Sequence, residues 1–443
     1  MNHIFKCENQ YYLINTNSMK LYKISYENYD QLELLAESDL DELAQKFEKG
    51  EQTKVKRNIV SFDEKKCNRL IINMAESCNL ACKYCYAQEG SYGQKERERL
   101  ISIDIVKKSV VRVLELYPKG ITSIQFFGGE PLLNKNTLRQ SVIWINDYIQ
   151  KLGLELPKYM MVTNGTLIED EDIEFFNNYF TSITISLDGE KKVNDCKRVF
   201  KGKDISVFDV VKEKIHKMNK IDRKFLIAIE GTINEEHIKE YISKKNIASF
   251  DALHSLGVDL IHISPEIKSN YEYSTDEICD FFGSWVAKEV TSGTAKMRLR
   301  AVMDILIAIK NNTVYGNGCG ATNTDLALNV HGDLYPCFMF IGHDEFHLGN
   351  VVTPLEVQKD RLEEIRNKLR LANENDSCQK CWVKPICSKS YGHCIGARFL
   401  STYKIDEPNK VLCSISKTVL ERIFVEANKI YGVNVKRGEM NEH

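Results

Sequence analysis

Nowhere does the 443-residue sequence hold an apolar run approaching the ~20 residues that a membrane span needs. The start, Met1-Asn2-His3-Ile4-Phe5-Lys6-Cys7, lacks the apolar core of a signal peptide. The cytoplasm is therefore the expected compartment, with no membrane partner. There is no excess of either charge: 60 Lys and Arg stand against 62 Asp and Glu, a formal net charge of −2. That balance excludes a general nucleic-acid binder, which would show a strong basic surplus. Internal repeats and low-complexity tracts are also missing. What remains is a chain too long for one ordinary core, with 43% hydrophobic and 28% charged residues, as in globular proteins of two to four domains.

The fourteen cysteines are what is there. In a chain with no export signal, cysteines at short repeated spacings point to metal rather than to disulfides. Ten of the fourteen fall into two groups, Cys78, Cys82 and Cys85, and a second from Cys319 to Cys413. Cys7, Cys67 and Cys196 have no spacing partner and read as small buried hydrophobes.

Residues 1–48 open with alternating β-type segments, Tyr11–Ile14 and Leu21–Ser25, followed by helical patterns at Asn28–Ala36 and Asp39–Phe47. A lysine-rich linker runs from Lys49 to Lys66, closing a small winged-helix-like module over 1–66. From 67 to 310 the pattern becomes α/β. Strands are predicted at Arg69–Met74, Ser123–Phe127, Tyr159–Thr163, Ser182–Leu187, Phe225–Glu230 and Leu260–Ser264. Helices are predicted between them at Ile103–Leu116, Lys135–Lys151, Asp170–Asn178, Val207–Met218 and Glu235–Leu256. Ser274 and Glu277 form a capping box that opens a further helix. This alternation predicts a parallel sheet, open or curled into a partial barrel, with function at the carboxyl ends of its strands. Residues 311–415 are rich in Gly, Asn and Cys, carry one charged helix at Pro354–Leu371, and are expected to rely on metal staples. A helix from Ser414 to Ile430 and a polar tail occupy 416–443.

Cys78, Cys82 and Cys85 read C-x3-C-x2-C just after the first barrel strand. A structural zinc site needs four ligands. Three thiolates suit a [4Fe–4S] cluster with one iron left open. The run Cys78-Asn79-Leu80-Ala81-Cys82-Lys83-Tyr84-Cys85-Tyr86 resembles the signature of the radical S-adenosylmethionine (SAM) superfamily. The resemblance implies that SAM chelates the open iron through its amino and carboxylate groups. One electron then cleaves SAM to methionine and a 5′-deoxyadenosyl radical that abstracts hydrogen. Gly128-Gly129-Glu130-Pro131, Thr163-Asn164-Gly165 and Ser186-Leu187-Asp188-Gly189 follow in family order at strand ends, although each alone would be a turn. By resemblance, Tyr84, Gly128, Gly129, Glu130, Asn164, Ser186 and Asp188 belong to the SAM site, the backbone at 128–130 and Glu130 meeting the amino group. Arg198 is expected at the SAM carboxylate, which a guanidinium binds bidentately. A solvated basic loop with Lys197, Lys201 and Lys203 is the alternative for it. Ile263 is either an adenine contact or core. The implied fold is a partial (β/α)6 TIM-like barrel.

The C-terminal cysteines read C-x12-G-x4-C for Cys319 and Cys337, then C-x2-C-x5-C-x6-C for Cys378, Cys381, Cys387 and Cys394, and lastly Cys413. Taken alone, C-x2-C is common in zinc sites. Beside the first group, the pattern resembles the SPASM domain, which holds two auxiliary [4Fe–4S] clusters. The final gap of six residues is longer than the family's and leaves Cys394 the least regular member. The resemblance assigns Cys378, Cys381, Cys387 and Cys413 to a distal cluster and Cys319, Cys337 and Cys394 to a proximal one. Three [4Fe–4S] clusters and SAM are thus the implied cofactors. The proximal cluster is one thiolate short. Cys279, His331 or His343 completes it, or one iron stays open for a substrate thiolate.

SPASM-bearing radical SAM enzymes include sulfatase-maturing enzymes and maturases of ribosomally made peptides. The former carry an acidic base directly after the residue equivalent to Cys337, where this chain has Phe338. The N-terminal module resembles a leader-peptide recognition element, which binds the leader as an added strand. The expected function is a maturase forming thioether crosslinks in a precursor peptide, of the sactipeptide or ranthipeptide type, with a flavodoxin or ferredoxin as reductant. Carbon–carbon crosslinking, epimerisation and sulfatase maturation are the enzymatic alternatives. A non-enzymatic Fe–S or zinc regulator is disfavoured by its acidic helices at Asn28–Ala36 and Asp39–Leu43. No catalytic acid or base follows from the sequence. Glu230 and Glu266, near the ends of the fifth and sixth strands, face either the radical site or ordinary polar surface.

Overall fold

The structure, a computed structural model, describes residues 1–16, 18–33, 63–93, 99–244, 246–268, 270–293, 297–311 and 319–431. It opens on an antiparallel meander of β1 (Asn2–Cys7), β2 (Gln10–Asn15) and β3 (Lys20–Ile24). Glu8 and Asn9 both take positive φ between β1 and β2, the geometry of a two-residue hairpin turn. Helix α1 (Tyr26–Glu33) follows, and its Leu32 closes a small core with Leu13, Tyr22 and Ile24. The other face of the meander, with Phe5, Tyr12 and Ile14, joins the main core. The predicted helix at Asp39–Phe47 and most of the linker lie outside the described residues, and with them the rest of the winged-helix-like reading.

The central sheet begins with β4 (Cys67–Ala75) and α2 (Ile103–Leu116), then β5 (Ile121–Gly128) and α3 (Lys135–Lys151). It continues through β6 (Lys158–Thr163), α4 (Asp170–Tyr179), β7 (Phe180–Ser186), α5 (Lys191–Lys197) and α6 (Val207–Asn219). Next come β8 (Leu226–Ile233), α7 (Glu235–Lys244), α8 (Ala248–His254), β9 (Leu260–Pro265), α9 (Thr275–Thr291) and α10 (Arg300–Lys310). Strands β4 to β9 are parallel and lie in sequence order, each joined by a helical crossover, as in the expected partial barrel. The capping box of α9 is present, Ser274 and Glu277 each accepting the other's backbone N–H.

Several elements differ from expectation, among them α5 and α10, which match no predicted helix. The single helix predicted over Glu235–Leu256 is two, α7 and α8. The chain turns between them so that Ile247, Phe250 and Leu253 enter the core, which one straight helix would not allow. Residues 311–415, expected to rely on metal staples, also share the barrel's sheet and core. β10 (Leu326–Leu328) pairs parallel with β4, and β11 (Leu334–Tyr335) pairs antiparallel with β10, so the barrel sheet has eight strands. Leu326, Leu328 and Leu334 are wholly buried in the common core. Strands this short carry too few residues to reveal an alternating pattern.

The remaining elements are α11 (Leu355–Leu371), α12 (Asp376–Gln379), α13 (Ile395–Thr402) and α14 (Lys410–Tyr431). The last begins four residues before the predicted Ser414, which puts Cys413 in its first turn. It also anchors the N-terminal meander: His3 Nε2 meets Glu421 at 2.8 Å, and Glu8 pairs with Arg422 at 2.7 Å and Lys429 at 2.6 Å. Among the described residues no helix is long and apolar enough to cross a membrane.

The junction of β10 with β4 is locked by Asp325, which accepts from Arg69 Nη2 at 2.9 Å and Asn68 Nδ2 at 2.8 Å. Its side chain is 4% exposed, while that of Arg69 keeps 34%. Removing the carboxylate strands a mostly covered guanidinium. Asp325→Ala is expected to cost roughly 3 kcal/mol, the low end for a broken buried pair because Arg69 reaches water. Chemical denaturation of the two proteins checks this.

Candidate functional site

Cys78, Cys82 and Cys85 leave the carboxyl end of β4 on a loop with no regular structure of its own. A second segment holds it. Ala81 N donates to Val199 O at 2.8 Å, Lys83 N to Lys197 O at 2.9 Å, and Lys201 N to Asn79 O at 3.2 Å, with Leu80 bridging Phe200. Residues 79–83 thus run antiparallel to 197–201. This pairing satisfies the loop's backbone and carries Arg198 beneath it. Arg198 is buried, not solvated. Its Nη1 donates to Tyr84 Oη at 2.8 Å, and that hydroxyl donates to Asp188 Oδ2 at 2.5 Å. Asp188 Oδ1 accepts from Thr232 N at 3.0 Å. The Nε of Arg198 is buried without a protein partner. Burial pushes the Cys82 thiol up, and the Arg198 charge pulls against it.

The turn at Gly128-Gly129-Glu130 lies against the same loop. A Cβ on Gly129 would stand 2.2 Å from Ser77 O, and one on Gly128, at φ +134°, 2.5 Å from Ala75 O. The glycines are required first by the chain's own backbone, since Gly129 N donates to Ala75 O at 2.8 Å and Glu130 N to Ser77 O at 2.9 Å. The Glu130 carboxylate is wholly buried and accepts from Thr163 Oγ1 at 2.7 Å, Asn164 N at 2.8 Å and Leu132 N at 2.9 Å. Burial pushes its carboxyl up, while these three donors work against that. Asn164 Nδ2 reaches Asn79 Oδ1 at 2.8 Å and Cys78 Sγ at 3.7 Å, and its Oδ1 accepts from Thr166 N and Oγ1. Sequence reasoning missed Asn79 and Thr166. Their only signal was adjacency to motif residues.

Ser186, Glu230 and His262 are register partners across β7, β8 and β9. Beyond them a cavity of about 400 Å³ is lined by Glu230, His262, Ser264, Arg300, Asp304 and, from the C-terminal region, Tyr391. Glu266 instead stands 3.8 Å from Lys268, while Ile263, buried in the core, also borders this cavity.

The seven C-terminal cysteines separate into two electrostatic neighbourhoods. Cys319, Cys337 and Cys394 feel one another, as do Cys378, Cys381, Cys387 and Cys413. Burial first, then the neighbouring thiols, push Cys319 up to about 11 and Cys337 and Cys387 up to about 12. Bound metal relieves that cost, because it stabilises the thiolates. Groups of three and four thiols are donor sets of the kind that hold iron–sulfur clusters. Of the residues considered for the proximal group, Cys279 bonds Thr418 on α14, His331 is exposed near Glu76, and His343 stands edge-on to Phe399 at 4.8 Å. Met339 does meet the group, its sulfur 3.8 Å from Cys394 Sγ. Phe338 packs on Phe127 at 4.6 Å and Tyr86 at 6.3 Å, so the residue after Cys337 touches the residue after Cys85.

The Radical SAM superfamily profile matches residues 72–244, and the SPASM profile, an iron–sulfur cluster-binding domain, matches residues 319–382. The radical SAM cyclopropyl synthase TigE of Paramaledivibacter caminithermalis is 22% identical, covering 97% of this chain and 92% of its own. A cysteine-type anaerobic sulfatase-maturating enzyme of Clostridium perfringens strain 13 is 24% identical over 73% of this chain and 89% of its own. Of solved structures, anSMEcpe with bound AdoMet superposes with a TM-score of 0.65 at 19% identity, over 82% of this chain and 97% of that one. Streptococcus suis SuiB bound to precursor peptide SuiA gives 0.53 at 14% identity, over 93% of this chain and 100% of that one. These structures share the fold.

The tight passage at Gly129 yields a direct test. Gly129→Ala forces a methyl group against backbone that cannot swing aside, and should cost about 3 kcal/mol, the upper end for overpacking. Thermal and denaturant unfolding measure it.

Proposed function

We propose that this chain, which belongs to the radical SAM enzymes and carries a SPASM domain, is a peptide maturase joining a cysteine sulfur to a carbon of a ribosomally made precursor. The observation that supports this reading is the grouping of the auxiliary thiols, four in one neighbourhood and three in the other. A three-thiolate centre leaves a coordination position for a substrate cysteine. In this reading Cys78, Cys82 and Cys85 hold the SAM cluster, Cys319, Cys337 and Cys394 the proximal cluster, and Cys378, Cys381, Cys387 and Cys413 the distal one. Bound at the first group, a [4Fe–4S] cluster with an open iron supplies the electron that splits SAM and generates the hydrogen-abstracting radical.

The chain's own residues then orient SAM. Arg198, whose buried Nε has no protein partner, is assigned the SAM carboxylate. Asp188 and Tyr84 hold that guanidinium in place. Asn164 and Ser186 border the site, and the backbone at Gly128 and Gly129 meets the amino group. Glu130, its oxygens taken by three donors, fixes the turn that presents this backbone. The meander suits a leader peptide, because β3 has a single strand neighbour, β2, among the described residues and an open edge accepts an added strand. SuiB in complex with its precursor peptide supports the same partner. Phe338, in place of an acid, argues against sulfatase maturation. A flavodoxin or ferredoxin is the reductant this chemistry calls for.

A second reading, carbon–carbon bond formation, is favoured by the near end-to-end match to a cyclopropyl synthase. Co-expression with a precursor peptide encoded beside the gene, followed by mass spectrometry, separates the two. A thioether product is two hydrogens lighter and has one cysteine that no longer alkylates. The same mass loss with every cysteine still reactive gives the carbon–carbon reading, and an unchanged peptide mass rejects both. Anaerobic reconstitution is expected to give about twelve irons per chain, falling to about eight in a Cys78, Cys82, Cys85→Ala variant, as three four-iron clusters require.

A further inference from the structure

Joining two peptide atoms removes two hydrogens. One leaves as an atom to the SAM-derived radical. The other must leave as a proton and an electron, a thiol's proton before or as its sulfur bonds and a carbon's once the new bond forms. The side chain after Cys337 offers no acceptor, since Phe338 is packed between Phe127 and Tyr86. Of the carboxylates at this edge of the barrel, Glu76 pairs with Arg99, Glu266 with Lys268 and Asp304 with Arg300, and Glu130 and Asp188 are engaged as well. Glu130 accepts three hydrogen bonds of 2.9 Å or less, and Asp188 is held by Tyr84 and Thr232 N. Glu230 differs: its partner is Ser264 Oγ at a long 3.4 Å.

Resting on the maturase reading, we propose that Glu230 takes that proton, and that the modified residue of the peptide sits in the cavity between β8, β9 and the segment joining Cys387 to Cys394. The placement is fixed by register. Ser186, assigned above to SAM, is the neighbour of Glu230 on one side, and His262 on the other. The cavity, about 400 Å³, suits a few peptide side chains. Tyr391 and Lys389 face it from the C-terminal segment, and Arg300 and Asp304 from α10.

The chemistry fits the place. Burial pushes the Glu230 carboxyl up to about 7, the Ser264 hydrogen bond pulls it down and the Asp188 charge adds to the rise. Burial, then the Arg300 charge, hold His262 below its ordinary value, and so neutral at pH 7. Burial, then the Glu230 charge, keep Tyr391 protonated. A carboxylate poised near neutrality takes a proton readily and returns it to solvent between turnovers. In the step, the C–S or C–C bond forms and the S–H or C–H bond breaks. The proton makes Glu230 a carboxylic acid, and the electron leaves to a one-electron acceptor of the iron–sulfur class.

The test compares the wild type with Glu230→Gln and Glu230→Asp on the same precursor peptide. In Glu230→Gln the deoxyadenosine formed per peptide modified should rise ~10²-fold or more, the scale of a lost general base, with SAM affinity kept. Glu230→Asp should recover part of the coupling. A glutamine variant with the wild-type ratio overturns the proposal, as does loss of SAM binding, which would make Glu230 part of the SAM site. Infrared titration of the cofactor-free protein gives an independent readout. A carboxylic-acid band with a midpoint near pH 7, absent from the variant, supports the assignment; a midpoint in the ordinary carboxylate range rejects it. Should the glutamine variant not fold, Glu230→Asp carries both measurements. A wild type that leaves the peptide unchanged rejects the maturase reading alone, and the titration still judges Glu230.

Discussion

The pairing of residues 79–83 with 197–201 is the constraint on which the site depends. The cysteine loop follows β4 with few apolar side chains of its own; Leu80 is the one it buries. Its backbone groups need partners, and the segment after α5 provides them. The same contact brings a guanidinium into a covered position. That would be costly if Tyr84 and Asp188 were not waiting for it. Loop, arginine, tyrosine and aspartate form one unit. The arginine's buried Nε has no protein partner among the described residues.

Several residues with apparent ligand roles turn out to have structural duties first. Gly128 and Gly129 are small because backbone passes over them, and Glu130 is a clamp between two strand ends. These duties do not compete with ligand binding. A backbone that must present its carbonyl oxygens to an amino group has to be held still, and buried hydrogen bonds to a carboxylate do that well. By the same measure, a carboxylate in a cavity with one long hydrogen bond is a different object. Glu230 contributes little to holding the fold and remains available for chemistry.

The two cysteine regions are not separate bodies joined by a tether. β10 belongs to the barrel sheet, Asp325 pins it to Arg69, and Phe338 lies across to Tyr86 and Phe127. Electron transfer and substrate positioning between clusters both need fixed distances. A shared sheet provides these better than a linker, because strand register permits no gradual sliding.

Much of this was legible before any coordinates. The alternation of buried strands and amphipathic helices marked six barrel strands to within a few residues, since hydrophobic periodicity is a local property. The cysteine spacings marked the thiols that the structure groups, because residues on one loop lie close in sequence. Helix α10, the break between α7 and α8, and β10 and β11 were not legible, being short or without strong punctuation. Which of Arg198 or its lysine neighbours is buried, which carboxylates are engaged, and which side chain adjoins Cys394 depend on contacts between residues far apart in sequence. The sequence by itself determined the chemistry available, through residue types at fixed local spacings. The tertiary structure decided which of those groups is spent on holding the fold and which is free to act, because burial and hydrogen-bond partners exist only once distant segments meet.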